Sequence, residues 1–261
     1  MTTTSAPVLT ERESEATQVV GVDFMQDLSC LVRGRARLTS ALRAHGATWS
    51  RVLILGGYWR WLPIAAPRLG VIALSGWASA EERTEFQSSG GFRDFVGASH
   101  LASLDLGPGV ARSQYESVTM DDDGWLARLP AGKAPRGPTA VLTYVRVRPR
   151  AALAFQRVAR AAALSAEQSE GLVTTCYASE FGAPYMRLMT LTIWGRRAAA
   201  AQWAYSGHGA HAESLAWLVA DPSRVPGGCF SRHPILRATG TLNGVGLDAM
   251  LDPARPGTDS T

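Results

Sequence analysis

Two stretches of this chain repeat the same pattern of residues, and the repetition constrains the fold more than any other feature. The first runs over residues 73–95 and the second over residues 191–215. An offset of 117 residues matches Trp77 with Trp194, Phe86 with Trp203, Gly90 with Gly207 and Asp94 with His211. The two halves therefore share a scaffold, whereas only the second half carries a histidine at this position.

Hydrophobic spacing predicts the same order of elements in both halves, namely strand, helix, strand, strand, helix and strand. The ranges predicted for the first half are 19–25, 28–44, 51–58, 69–77, 79–95 and 101–106. Those predicted for the second half are 139–148, 151–164, 172–179, 186–194, 196–219 and 229–239, and the helix over 196–219 is expected to be interrupted near Gly207 and Gly209. Ser79 is the expected N-cap of its helix, and Leu153, Val158 and Ala162 are expected to point inward from theirs.

The predicted fold is α+β, with two ferredoxin-like βαββαβ repeats in one chain. Each repeat has helices on one sheet face only, so the two bare faces can pack together into a barrel-like domain. The space between sheet and helices then suits an apolar ligand. The predicted boundaries are a flexible tail at 1–17, a first repeat at 18–118, a linker at 119–137, a second repeat at 138–246 and a second tail at 247–261.

Composition excludes several classes of protein. Hydrophobic residues make up 46% of the chain, so a full core is expected rather than disorder. The net charge is +4, but no basic run is interleaved with aromatic residues, so no nucleic-acid partner is expected. No apolar stretch is long enough for a membrane span. Three dispersed cysteines, Cys30, Cys176 and Cys229, argue against a disulfide framework and favour a cytoplasmic protein.

His211 is the main candidate for a metal ligand. It continues the helical face of Ser214, Leu215 and Leu218, and a neutral imidazole facing an apolar cavity is a good iron ligand. The alternatives are a core histidine bonded to a backbone carbonyl, or iron binding by His208 or His233. No zinc motif is present, whereas haem needs only one protein ligand and a shaped pocket.

Further residues of the second half are candidates to hold a haem. Aromatic and thioether side chains that can pack against the macrocycle are Phe181, Met186, Trp194 and Trp203. Arginines that can pair with its propionates are Arg146, Arg187 and Arg232. His233, on the closing strand, is the candidate catalytic acid or base on the open side of the cofactor. The alternative for His233 is an exposed histidine on an edge strand.

Three segments resemble the spheroidene monooxygenase family of carotenoid oxygenases. They are residues 137–149, Leu191-Thr192-Ile193-Trp194, and Gly209-Ala210-His211-Ala212-Glu213-Ser214-Leu215. The resemblance implies a dimeric α+β barrel with haem b that oxygenates an apolar substrate with O2 and external electrons. It also implies His211 as the axial ligand, a ferredoxin-type electron donor and a homodimer. A small-molecule substrate is expected.

The His-x-x-His pair at 208–211, followed by His233, is also similar to the aldoxime dehydratases, which are haem lyases on a related duplicated fold. In those enzymes the later histidine does acid–base work on a nitrogen–oxygen bond. A haem-dependent dehydratase is therefore the alternative to a monooxygenase-like oxidoreductase. A non-catalytic protein that binds an apolar ligand is the alternative from another class.

Overall fold

A computed structural model of the chain describes residues 19–26, 35–58, 65–111, 137–182, 185–205, 209–225 and 227–251. The first half contains β1 (Val19–Met25), α1 (Arg35–Ala44), β2 (Trp49–Tyr58), β3 (Ala65–Trp77), α2 (Ala80–Ser88), α3 (Gly90–Val96), β4 (His100–Leu106) and β5 (Val110–Ala111). The second contains β6 (Thr139–Val147), α4 (Ala152–Glu167), β7 (Leu172–Gly182), β8 (Tyr185–Trp194), α5 (Arg197–Tyr205), α6 (Ala210–Ala220), β9 (Gly227–Leu242) and β10 (Val245–Gly246).

Eight of these strands form a closed antiparallel ring. Its order is β4, β1, β3, β2, β7, β8, β6 and β9, and β9 pairs back onto β4. The two halves meet where β2 pairs with β7 and along β9, which pairs with β6 in its first part and with β4 in its second. The predicted α+β class and the antiparallel sheet are confirmed, and the order of elements is the same in both halves.

The interior of the ring is the main hydrophobic core. It is built from alternate residues of all eight strands, such as Val22, Leu74, Leu142 and Leu191, each almost fully buried. Successive residues of a strand point to opposite faces of a sheet. Strand β6 shows this alternation directly, since Leu142 and Tyr144 face the interior while Val141 and Val145 face the helices.

Helices cover the outer face of the ring in both halves. In the first half, α1, α2 and α3 pack on a second core that includes Trp77 and Phe86. In the second half, α4 and α6 pack on a third core that includes Val147 and Phe155. Among the described residues, no helix has the length and apolar character needed to cross a membrane.

Two predicted long helices are each divided in the structure. The helix expected over 79–95 stops at Ser88, because the Ser89 hydroxyl donates to the Phe86 carbonyl and accepts from the Phe92 amide, which starts α3. The helix expected over 196–219 is divided as predicted, since α5 ends at Tyr205 and α6 begins at Ala210. The predicted N-cap is confirmed, since the Ser79 side chain accepts a hydrogen bond from the Glu82 amide at 3.1 Å.

Other sequence predictions differ from the structure or lie outside it. Leu153 was expected to point inward, but its exposed fraction is 50%, because it lies on the solvent side of α4. The first tail, residues 252–261 of the second tail and nearly all of the 119–137 linker fall outside the described residues, as does the start of the helix predicted from residue 28. The described start of the second tail is not separate from the fold, since Leu247 and Met250 are buried in the main core. The domain boundaries therefore stay predictions.

Candidate functional site

A pocket lies between the outer face of the second-half sheet and helices α4, α5 and α6. The cavity measures about 150 Å³. Threonine, valine and aromatic side chains of β6, β7, β8 and β9 form its floor, including Val141, Thr143, Thr192 and Phe230. Its helical wall is rich in alanine, with Ala159, Ala162, Ala163, Ala166, Ala200, Ala201 and Ala204.

The alanine runs explain why this space stays open. Alanine has the highest helix propensity of all residues and the smallest side chain that still favours a helix. The sequences of α4 and α5 therefore form stable helices that leave the space above the sheet unfilled. The position of the pocket follows directly from the choice of alanine over a larger apolar residue.

His211 lies in the helical wall near the start of α6. Its ring centroid is 4.3 Å from that of Trp203, and Ser214, Leu215 and Leu218 line the pocket beside it, as their helical spacing predicts. The buried Nδ1 atom of His211 has no hydrogen-bond partner among the described residues. Burial lowers the pKa of His211 below its usual value, and a hydrogen bond to the backbone of Ala204 opposes this only in part. The imidazole is therefore neutral and keeps a lone pair for a ligand.

The pocket carries positive charge and no negative charge. Arg197 and Arg232 line it, from α5 and from β9 respectively. None of the described residues that line it is an aspartate or a glutamate. The remaining polar groups of the floor are the hydroxyls of Tyr177 and of four threonines, Thr139, Thr143, Thr190 and Thr192.

The equivalent space in the first half is filled by Arg83 of α2. Its side chain is fully buried and donates to Asp23 at 2.6 Å and to Asp105 at 2.9 Å. Burial alone would lower the pKa of Arg83, but the two carboxylates outweigh it and raise the pKa above its usual value. The guanidinium also lies 5.8 Å from the centroid of the Trp77 ring. This charged cluster fills the space over the first-half sheet that corresponds to the pocket of the second half.

The structure brings only some of the predicted site residues together. Trp203 and His211 both line the pocket, and Trp194 lies beneath Trp203 at 5.7 Å between ring centroids. Met186 lies on the same sheet face but packs in the third core, beyond the pocket lining. The side chain of Phe181 and all of His208 lie outside the described residues.

Arg146 and Arg187 do not reach this pocket. They pair across β6 and β8, one residue out of phase with Val145 and Leu188, so they lie on the inner face of the ring. Glu180 pairs with Arg187 from β7, and Arg51 approaches Glu180 to 3.6 Å on the same face. The expectation that Arg146 and Arg187 pair with haem propionates in this pocket does not fit the structure, whereas Arg232 and Arg197 line the pocket.

His233 also faces the inside of the ring. Its neighbours Arg232 and Phe230 line the pocket, whereas His233 pairs with Ala140 of the inner face and is fully buried. Its Nδ1 atom lies 3.1 Å from the Gly107 carbonyl oxygen, and its Nε2 atom lies 3.1 Å from the Ser231 hydroxyl. Burial lowers its pKa to about 4. His233 was predicted either to act as an acid or base beside a cofactor bound by His211 or to be exposed on an edge strand. Its position on the inner face of the ring fits neither prediction.

The offset of 117 residues does not hold through the second helix of each half. The N-caps of α3 and α6 are Ser89 and Gly209, which lie 120 residues apart. Counted from these caps, His211 corresponds to Gly91 rather than to Asp94. The first half thus has a glycine at the position of His211, and the imidazole of His45, from a different element, packs over Gly91 and lies 5.2 Å from the Phe86 ring centroid.

Comparison with known proteins supports the fold. No protein-family model and no curated protein matches the sequence. An aldoxime dehydratase structure is similar with a TM-score of 0.51 and 8% identity, over 89% of this chain and 89% of that one. The two chains share a fold. A monooxygenase-like protein from Listeria innocua (TM-score 0.29, 9% identity, 83% and 95% covered) and a heme-degrading enzyme from Listeria monocytogenes (0.30, 11%, 83% and 100%) are also similar.

The site can offer a metal one imidazole rather than a cage. Among the described residues, no group of three or more histidine, cysteine, aspartate or glutamate side chains could hold an ion. A cofactor that brings its own ligands to iron needs only one protein ligand.

Proposed function

We propose that this chain is a haem-dependent enzyme, with His211 as the axial iron ligand and a small or apolar substrate in the pocket. The observation that carries the proposal is the buried, neutral and unpartnered Nδ1 atom of His211, beside a cavity between sheet and helices. A buried polar atom without a partner is unfavourable, so its presence beside a cavity indicates a ligand.

The residues present fit haem b in chemistry. His211 would hold the iron, Trp203 would pack beside the ligand, and Arg232 and Arg197 would pair with the propionates. The cavity of about 150 Å³ is smaller than ligand pockets of about 300–1,000 Å³. Binding of a haem therefore requires the helices to move outward from the sheet.

We infer a monooxygenase-like oxidoreductase as the reaction class. When bound, haem supplies an iron centre that can activate O2 with electrons from outside, for which a ferredoxin-type protein is the proposed donor. The residues of this chain exclude water with the alanine and valine walls. They orient a substrate through the hydroxyls of Thr143 and Thr192 on the floor.

A haem-dependent dehydratase is the second candidate, because the shared fold is that of an aldoxime dehydratase structure. His233 cannot serve as its acid or base from the inner face of the ring. The proton donor or acceptor would instead be a hydroxyl of the floor, of which Tyr177 is the most acidic type.

The proposed architecture is two copies of one ferredoxin-like unit in a dimeric α+β-barrel-like domain. Matching details support the copies: the indole nitrogens of Trp77 and Trp194 each donate at 2.9 Å to a hydroxyl two residues earlier, on Ser75 and Thr192. A homodimer of the whole chain is part of the same proposal.

Absorption spectra of the haem-supplied protein test the iron ligand. We expect a Soret band in the wild type. In His211→Ala we expect the haem affinity to fall by about tenfold or more. His45→Ala, at an exposed histidine of the first half, should retain the wild-type spectrum. A wild type without a Soret band would contradict the proposal and favour a non-catalytic protein that binds an apolar ligand.

Turnover assays separate the two reaction classes. An oxygenase requires O2 and a reductant, whereas dehydration of an aldoxime consumes neither. Conversion of aldoximes under nitrogen by the haem-loaded protein would favour the dehydratase. Oxygen-dependent conversion of an apolar substrate would favour the monooxygenase.

A further inference from the structure

The two halves have opposite charge at matching positions of the sheet. In the first half, Gly21 of β1 pairs with Asp105 of β4, and in the second half Val141 of β6 pairs with Arg232 of β9. The registers of Trp77 with Val19 and of Trp194 with Thr139 place these pairs at the same level. Arg232 therefore occupies the position of Asp105.

The other two members of the first-half cluster are replaced by uncharged residues. Asp23 pairs with Ala73 four residues before Trp77, and Thr143 pairs with Thr190 four residues before Trp194. Arg83 lies three residues before Phe86 on α2, as Ala200 lies three residues before Trp203 on α5. In the first half, a buried cation on a helix thus faces two carboxylates of the sheet. In the second half, an open space at the same position faces an arginine of the sheet.

Among the described residues, the charged side chains that line this space are both arginines, the residue type that recognises carboxylates. Arg232, Arg197 and the neutral His211 line it, with no carboxylate among the described lining residues. A guanidinium next to an apolar cavity binds a carboxylate through two charge-assisted hydrogen bonds. The first half shows the same ion pair with the polarity reversed, between Arg83 on the helix and acids on the sheet.

We propose that the pocket selects an apolar molecule that carries a carboxylate, and that Arg232 binds this carboxylate in the space that Arg83 fills in the first half. The proposal rests on the proposed function only in treating this pocket as the ligand site. The carboxylate has two possible sources, a propionate of haem or an acid group of a separate substrate. Arg232 is a binding residue for either.

Calorimetric titration of the full, haem-free chain with a naphthoate and its neutral amide tests the preference. We expect the acid to bind about tenfold or more tightly than the amide. Arg232→Gln should reduce that ratio to about one, mainly by weakening the binding of the acid. Arg237→Gln, an exposed arginine on the same strand that contacts Gln87, should keep the wild-type ratio.

A second variant guards against a folding defect in Arg232→Gln. Thr143→Asp places a carboxylate on the floor of the pocket at the position that matches Asp23 of the first half. It should abolish the preference for the acid although Arg232 is retained. Equal binding of acid and amide by the wild type would overturn the proposal. An undiminished preference in both Arg232→Gln and Thr143→Asp would also overturn it.

Titration with haem and with its dimethyl ester identifies the source of the carboxylate. If haem binds more tightly than its dimethyl ester through Arg232, and naphthoate does not bind to the haem-loaded protein, the carboxylate is a propionate of haem. Arg232-dependent naphthoate binding to the haem-loaded protein assigns a separate acidic substrate. Because these titrations do not need His211, a missing Soret band with an intact acid preference would remove the haem proposal alone.

Discussion

The two halves of the ring share one arrangement of strands and helices, but they differ in what lies between the sheet and the helices. Both place a tryptophan at the end of the third strand, bonded to a hydroxyl two residues earlier, under an aromatic residue of the next helix. The first half fills the space beside it with the buried cluster of Arg83, Asp23 and Asp105. The second leaves it lined by Ala200 and open to a ligand.

The difference shows how a filled core is turned into a binding site. Shortening one helical side chain to alanine opens the space, and exchanging the sheet carboxylates for threonine and arginine sets its charge. Buried ion clusters commonly add little net stability over apolar packing, but they tolerate the loss of one member badly. The stability of the first half thus depends on every member of its cluster. The second half has uncharged residues at two of the three matching positions, so it lacks this dependence.

Removal of Arg83 should give the largest loss of stability. Arg83→Ala leaves Asp23 and Asp105 buried without their cation, and we expect a loss of about 3–5 kcal/mol in the free energy of unfolding. Urea denaturation measures it. Arg196→Ala breaks an exposed pair with Glu170 and should cost no more than about 1 kcal/mol. Similar losses of stability in the two variants would mean that the cluster contributes little to the stability of the first half.

Acid should weaken the second half through His233, at the level where the first half has Leu106. The folded pKa of about 4 is below the unfolded value of about 6.5, so the unfolded chain binds more protons in that window. Stability is therefore fully present above about pH 6.5 and decreases by about 3 kcal/mol as the pH falls to about 4.

His233→Gln should remove this part of the pH dependence. Denaturation of both proteins at neutral and at acidic pH measures the difference between their slopes. A variant whose stability falls as steeply as that of the wild type would show that His233 is not the titrating group.

Filling the pocket should make the second half resemble the first. Ala200→Leu occupies the space over the sheet, and we expect a gain of about 0.5–2 kcal/mol in stability together with weaker ligand binding. Ala198→Leu, at an exposed position of the same helix, is the matched control. Thermal melts and naphthoate titration give the two quantities. A destabilised Ala200→Leu would mean that the helices cannot accept added volume.

The helix caps provide the smallest test. Ser89 caps α3 with its side chain, whereas Gly209 begins α6 with a positive φ of 83° and no side-chain bond. Ser89→Ala should cost about 1 kcal/mol, measured by urea denaturation. A loss near zero would show that the backbone alone separates α2 from α3, as it separates α5 from α6.

Strand positions and the pocket-facing side of α6 could be predicted from the sequence, because both follow from local spacing. The strand over 19–25 has the predicted bounds, and His211 shares its face with Ser214 and Leu218 as expected. The interruption near Gly207 and Gly209 could be predicted because glycine disfavours a helix. The break in the helix over 79–95 was missed because apolar spacing continues across Ser89, whose hydroxyl makes the break.

Sheet faces were harder to predict than strands. Alternation in β6 separates Val145 from Arg146, but it does not tell which face the helices cover. Adjacent residues such as Arg232 and His233 necessarily point to opposite faces, and a choice between them needs the register. Ala200 and Thr143 were missed as site residues, although the alignment already placed Ala200 opposite Arg83.

The closed ring determines how a ligand can enter. Because β9 pairs with β6 and then with β4, one strand joins both halves, and the floor of the pocket is continuous with the whole barrel. A floor built in this way cannot yield without breaking the hydrogen bonds of the ring. We therefore expect admission and release to depend on the helices of the wall, α4, α5 and α6, and their displacement from the sheet to limit the rate at which the pocket exchanges its contents.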